Sequence, residues 1–189
     1  MAELELKQIK IISDGSFLSH TNPQSATGAF ITIFNDREFP YYIGKYKCNK
    51  NAHYAEIYTI NLVLELMLSL GKWIQEYSID FYTDVANNLP NPNNKCSNYG
   101  ENERFCILKN ILEKKNPLKF IYTNMTLNAY LKNCHYLSIN RHHIAKKCEL
   151  RNALNLRYLS LEFSTEKIRN RILKYLKEKL KQSNTDQNI

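Results

Sequence analysis

Residues 51–67 read NAHYAEIYTINLVLELM, and the place of Glu56 in that run decides the fold. Ile60, Val63, Leu64 and Met67 recur at helical spacing and Gly71 ends the run, so a helix is expected over residues 55–70. Positions 56, 60, 63, 64 and 67 share one face, which puts Glu56 on the apolar side, aimed at a sheet. An unpaired charge buried there is costly, so the carboxylate must be neutralised, paired or bound to metal.

Strands are expected on both sides of this helix. Before it, residues 8–13 (QIKIIS) form a β-branched run ending at Asp14-Gly15-Ser16, a turn-compatible triplet, and residues 28–34 and 41–46 read as two further strands. Asn35-Asp36 and Pro40 mark the turn between those two, so the three strands form an antiparallel meander. After the helix come a strand at residues 79–83 closing on Asp84, a loop over 87–102 rich in Asn and Pro, a helix over 103–114 and a strand over 118–122. Residues 124–140 carry no assignable period, whereas helices are expected over 142–155 and 165–181. The order predicts an α/β fold, a mixed sheet flanked by helices whose later strands are reached by helical crossovers.

Asp14 and Asp84 each stand where an apolar strand gives way to polar sequence, the usual location of site residues in open α/β sheets. Taken singly, they read as turn or cap residues, and Glu56 as the partner of a lysine. Taken together, two acids at strand ends and one on the covering helix converge on a point. Carboxylate oxygens suit hard ions such as Mg2+, and two such ions clamp the attacking and leaving oxygens of a phosphoryl displacement.

The chain has 189 residues, 43% of them hydrophobic, enough for one domain with a buried core. Its 26 Lys and Arg against 18 Asp and Glu give a net charge of +8, which favours polyanionic partners. From residue 141 onward twelve basic residues face five acidic ones, a surplus of seven, so the excess sits at the C-terminal end. The five cysteines, Cys48, Cys96, Cys106, Cys134 and Cys148, show neither a CxxC pair nor zinc-ligand spacing and read as reduced thiols. The N-terminal MAELELKQIK lacks the apolar core of a secretory signal, and Asn61 and Glu65 interrupt the longest apolar stretch. A cytoplasmic protein without a membrane span is expected.

Three stretches, IISDGSF at 11–17, NAHYAEIYTINLVLELM at 51–67 and FYTDVANNL at 81–89, together resemble the ribonuclease H superfamily, and type 1 ribonuclease H most closely. They match that family's strand-Asp-Gly-Ser, Ala-Glu-helix and strand-Thr-Asp motifs in order, over residues 6–150. The resemblance implies a ribonuclease H-like sheet of five strands with the second antiparallel. It makes Asp14, Glu56 and Asp84 metal-binding catalytic carboxylates for Mg2+ or Mn2+, taken as two ions. The reaction implied is endonucleolytic hydrolysis of the RNA strand of an RNA/DNA hybrid, leaving a 3′ hydroxyl.

The chain departs from the family at the fourth acid, which opens a late helix in a pattern like Asn-Glu-x-x-Asp-x-Leu-Ala. The text INRHHIAKK at 139–147 offers Ile144-Ala145 for Leu-Ala and puts His142 in the acid's place. There His142 reads either as a ligand that favours Mn2+ over Mg2+ or as an exposed helix-start residue. His135, seven residues earlier, stands for the family's mobile loop histidine. Ser16 and His53 are candidate nucleic-acid contacts. His53 sits three residues before Glu56, where a donor can read a 2′ hydroxyl, or it simply begins the helix.

Residues 1–155 are thus expected to form the ribonuclease H-like domain and residues 156–189 a basic helical extension. In that extension Ser164 suits the N-cap, and Ile168, Ile172, Tyr175, Leu176 and Leu180 make an apolar stripe that packs on the domain or on a second chain. Arg169, Lys174, Lys177 and Lys181 then either contact phosphates or only keep the helix solvated. Two functions follow: a metal-dependent ribonuclease, or a weakened nucleic-acid-binding or protein-interaction module in a mobile-element, phage or reverse-transcriptase-associated assembly.

Overall fold

The computed structural model describes residues 7–19, 24–34, 37–47, 51–85, 89–90, 99–124 and 129–139, with residues 170, 173, 174, 176–178 and 181. Strands β1 (Lys7–Leu18), β2 (Ser25–Phe34) and β3 (Arg37–Lys47) lead into α1 (Ala52–Leu70) and a 3-10 turn at Gly71–Ile74. Then come β4 (Tyr77–Thr83), α2 (Tyr99–Glu113), β5 (Leu118–Tyr122) and α3 (Ala129–Ser138).

The five strands lie in the order β3-β2-β1-β4-β5, with β1, β2 and β3 antiparallel and β4 and β5 parallel to β1 and to each other. This is the expected mixed sheet.

Alternation along β1 assigns its two faces. Ile9 and Ile11 join Ile60, Val63, Leu64 and Met67 of α1 in the main core, while Ile12 packs with Ala29, Ile31, Leu131, Cys134 and Leu137 beneath α3. Helices therefore cover both faces of the sheet. Removing the Leu64 side chain, which is fully buried, would cost about 2–5 kcal/mol.

Both ends of α1 have a physical cause. Asn51 is extended and its side chain accepts the Tyr54 N–H at 2.9 Å, while Gly71, at φ 54° and ψ −121°, turns the chain out of the helix through a positive-φ conformation that side chains rarely adopt. Ala52–Ile74 is long and apolar enough to cross a membrane by composition alone, yet it lies between the sheet and α2 as a core helix. Asn61, which breaks the apolar run, is fully buried and donates to the Glu101 carbonyl at 2.8 Å and to Glu101 Oε2 at 2.7 Å. That bond ties the first turn of α2 to α1, and α2 accordingly starts at Tyr99, inside the stretch expected to be loop.

The unassigned stretch 124–140 contains α3, and the helix expected over 142–155 lies outside the described residues. The described residues from 170 to 181 are helical, as expected. Leu176, from the expected stripe, is buried in the main core together with Leu173, which the stripe did not include. Ile168, Ile172, Tyr175 and Leu180 lie outside the described side chains.

Candidate metal centre

Asp14 does not end a strand. β1 continues to Leu18 because β2 pairs with it through Ala29, Gly28, Thr27, Ala26 and Ser25, so Asp14-Gly15-Ser16 is extended backbone and not a turn. What ends near Asp14 is the other side of the ladder, whose last partners are Ile12 and Tyr82 of β4. Beyond that point the Gly15 N–H donates to Glu56 Oε2 at 2.9 Å. The glycine is required by space, since a Cβ there would stand 2.4 Å from the carbonyl carbon and oxygen of Ala55. The missing side chain lets the first turns of α1 sit directly on the strand, and this brings Glu56 to Asp14.

Asp84 follows the last residue of β4 in a turn where Thr83 Oγ1 accepts the Val85 N–H at 3.3 Å. Val85 packs against the main core. One carboxylate oxygen from each of Asp14, Glu56 and Asp84 lies within 4.8 Å of the others. Asp14 and Glu56 are buried, and Asp84 Oδ1 is buried with no hydrogen-bond partner. Burial, then the charges of Asp14 and Asp84, push the Glu56 carboxyl well above its ordinary range. Asp84 is likewise raised by burial and then by Asp14. Three acids crowded at this spacing, with one oxygen left bare, fit a divalent cation: it would satisfy the orphaned acceptor and relieve the repulsion.

α3 approaches from the other face of the sheet. Its His135 Nδ1 lies 3.2 Å from Asp14 Oδ2, and the Ser138 hydroxyl donates to the same oxygen. Ser16 Oγ stands 2.6 Å from Ser138 Oγ and 3.4 Å from Asp14 Oδ2, and Thr27 donates to the Ser138 carbonyl. His135 thus belongs to a helix and not to a loop, a correction with a clear cause. Leu131, Cys134 and Leu137 bury a stripe against β1 and β2, with Cys134 Sγ 3.1 Å from the Ala29 carbonyl. Burial holds that thiol well above its ordinary range, and Cys106 and Cys134 are free thiols. His142 lies outside the described residues, as does Arg169.

Ser138 and Thr27 are the residues sequence reasoning missed. The signal for them was the recurrence of Leu131, Cys134 and Leu137 every third residue, a helical stripe disguised by its thiol. Ser16, read as a nucleic-acid contact, is buried against Ser138 and Asp14. His53 is partly exposed on α1, one turn before Glu56. Lys174, Lys177 and Lys181 lie apart from the carboxylates, beside Trp73.

No protein-family model and no curated protein matches the chain. Solved structures do match. LC11-RNase H1, isolated from compost by a metagenomic approach, is 17% identical with a TM-score of 0.52 and covers 73% of this chain and 99% of its own. The same protein in complex with an RNA/DNA hybrid is 18% identical with a TM-score of 0.50, over 71% of this chain and 99% of its own. LC9-RNase H1, a type 1 enzyme with the type 2 active-site motif, is 7% identical with a TM-score of 0.52 over 76% of each chain. With its strand order, its helices on both faces and its three converging acids, the chain has the ribonuclease H-like fold.

Proposed function

We propose that the chain is a divalent-metal-dependent nuclease that cuts the RNA strand of RNA/DNA hybrids. The observation that carries this reading is the convergence of Asp14, Glu56 and Asp84 within 4.8 Å, with Asp84 Oδ1 buried and unpartnered. These three side chains would hold Mg2+ or Mn2+, one ion or two. A bound ion there supplies Lewis acidity toward a phosphate oxygen and lowers the pKa of water. The chain's own part is orientation: Gly15 N–H fixes Glu56, and Ser138 and Ser16 fix one oxygen of Asp14. His53, partly exposed in the first turn of α1, would read a 2′ hydroxyl in this proposal.

His135 takes the fourth position in this reading. His142, which the sequence put there, lies outside the described residues, whereas His135 stands on a late helix with its imidazole against Asp14, and of Asp-x-Leu-Ala the run His135-Tyr136-Leu137-Ser138 keeps the Leu alone. The hybrid substrate draws support from the fold shared with LC11-RNase H1, which has been seen with a hybrid bound.

Purified protein incubated with labelled hybrid, duplex RNA, duplex DNA and single strands, with Mg2+ and Mn2+ in parallel, tests the proposal. Cleavage confined to the RNA of the hybrid is expected, with Asp14→Asn and Asp84→Asn reduced on the order of 10²–10³-fold or more. Failure to cut any substrate with either ion would favour the non-catalytic nucleic-acid-binding module.

A further inference from the structure

A second feature lies at the far end of α1. Trp73, in the turn after that helix, packs against the main core and forms one wall of a groove of about 400 Å3. The other wall is the C-terminal helix, through Asn170, Leu173, Lys174, Lys177, Glu178 and Lys181. Leu173 and Leu176 anchor that helix in the core, so the lysines are carried on a fixed support. Positions 174, 177 and 181 follow i, i+3, i+7 spacing and line one face. Lys181 Nζ stands 5.5 Å from the Trp73 ring centre, and Glu178 is the groove's single acid among the described residues. Glu56 and Leu70 are fourteen residues apart on α1, so the groove lies on the order of 20 Å from the carboxylates.

We propose that this groove is a second nucleic-acid contact: Lys174, Lys177 and Lys181 bind backbone phosphates of a strand whose sugar or base lies against Trp73. Charge chooses the class of ligand, since three cations against one carboxylate select a polyanion. The indole selects a nucleic acid among polyanions, because an aromatic face beside basic side chains stacks on bases and sugars whatever their sequence. The contact rests on the nucleic-acid reading proposed above but not on catalysis. With phosphates about 3.4 Å apart along a strand, the separation corresponds to about six nucleotides. Shorter ligands reach one site only, and longer ones reach both.

The test measures binding of hybrids about 6 and about 18 base pairs long across a salt series, in chelator so that nothing is cut. The wild type is compared with Lys174→Glu/Lys177→Glu/Lys181→Glu and with the corresponding triple Gln variant, each checked for folding by circular dichroism. The wild type should hold the long hybrid more tightly than the short one. Both variants should lose that gain, on the order of tenfold, and their log-log salt slope should be shallower by about 2–3. Their affinity for the short hybrid should fall by a smaller factor than for the long one. Unchanged affinity and slope on the long hybrid would overturn the contact, as would a wild type that binds both lengths alike or neither. Equal competition by polyglutamate and single-stranded DNA at matched charge would overturn the nucleic-acid assignment in favour of an acidic protein partner. Lysine-dependent binding without cleavage removes the nuclease reading and leaves this one, whereas cleavage with lysine-independent binding does the reverse.

Discussion

The Gly15 N–H donates to Glu56 Oε2 at 2.9 Å, so one backbone group of β1 sets the orientation of the acid that α1 contributes. This bond joins the fold to the site. It exists because β4 has stopped pairing with β1 by that point and because a residue without a side chain lets α1 descend onto the strand.

Gly15→Ala should therefore act on stability and metal binding together. The added methyl would meet Ala55 backbone at 2.4 Å and Glu56 N at 2.6 Å, and a helix backbone cannot yield as a flexible side chain does. A loss of about 1–3 kcal/mol is expected from overpacking, with weaker divalent-metal binding as Glu56 moves off the strand. Thermal melts and calorimetric Mn2+ titration check this. A variant with wild-type melting and metal affinity would show that the close approach carries no functional constraint.

Glu56→Gln tests the crowding of charge, and its sign is fixed by linkage. Burial and two neighbouring acids raise the Glu56 carboxyl above its ordinary value of 4.5. The folded state thus holds the proton more tightly than the unfolded chain. The stability this contributes is full below the unfolded value and is lost as pH rises through the folded one. In chelator the variant should melt close to the wild type at pH 4 and increasingly above it toward neutral pH, by about 2–4 °C for each kcal/mol of repulsion removed. Saturating Mn2+ should reverse the order, because only the wild type gains a ligand-bound state. A constant difference between the two proteins across the pH range would count against the effect.

The three acids are legible in sequence because each breaks a local pattern: a charge on an apolar helix face, and a charge at the end of each of two apolar runs. The extension of β1 past Asp14 is not legible there. Asp-Gly-Ser is a good turn by its own chemistry, and only the long antiparallel partner β2 makes it a strand. α3 was hidden for a related reason. Its buried face is made by Cys134 and Ser138 as much as by Leu131 and Leu137, and the polar ones are satisfied by Ala29, Asp14 and Thr27, all more than a hundred residues away.

Ser138→Ala should loosen Asp14 while keeping all three carboxylates. The hydroxyl is fully buried and bonds a carboxylate oxygen, so its removal should cost about 1.5–3 kcal/mol. If the hydroxyl also orients Asp14, cleavage should fall through kcat with KM for the hybrid nearly unchanged. A stability loss with unaltered kcat would leave Ser138 a purely structural residue.

His135, as a ligand, would set the metal preference of the site. An imidazole is a better ligand for Mn2+ than for Mg2+, which prefers oxygen and gives up its waters reluctantly. With His135 Nδ1 3.2 Å from Asp14 Oδ2, the imidazole stands beside the three acids, and Nε2 would be the nitrogen that meets an ion held there. The wild type should therefore bind Mn2+ more tightly than Mg2+ by a wider margin than His135→Asp does, and cut faster with Mn2+. The Asp variant should gain Mg2+ affinity, on the order of tenfold. Direct titration of both ions, followed for Mn2+ by its paramagnetic resonance signal, separates this from a general change in activity, because a histidine that only moved water or product would leave both affinities as they were. Equal Mn2+ to Mg2+ ratios in wild type and variant would remove His135 from the ligand set and return it to a role in holding Asp14.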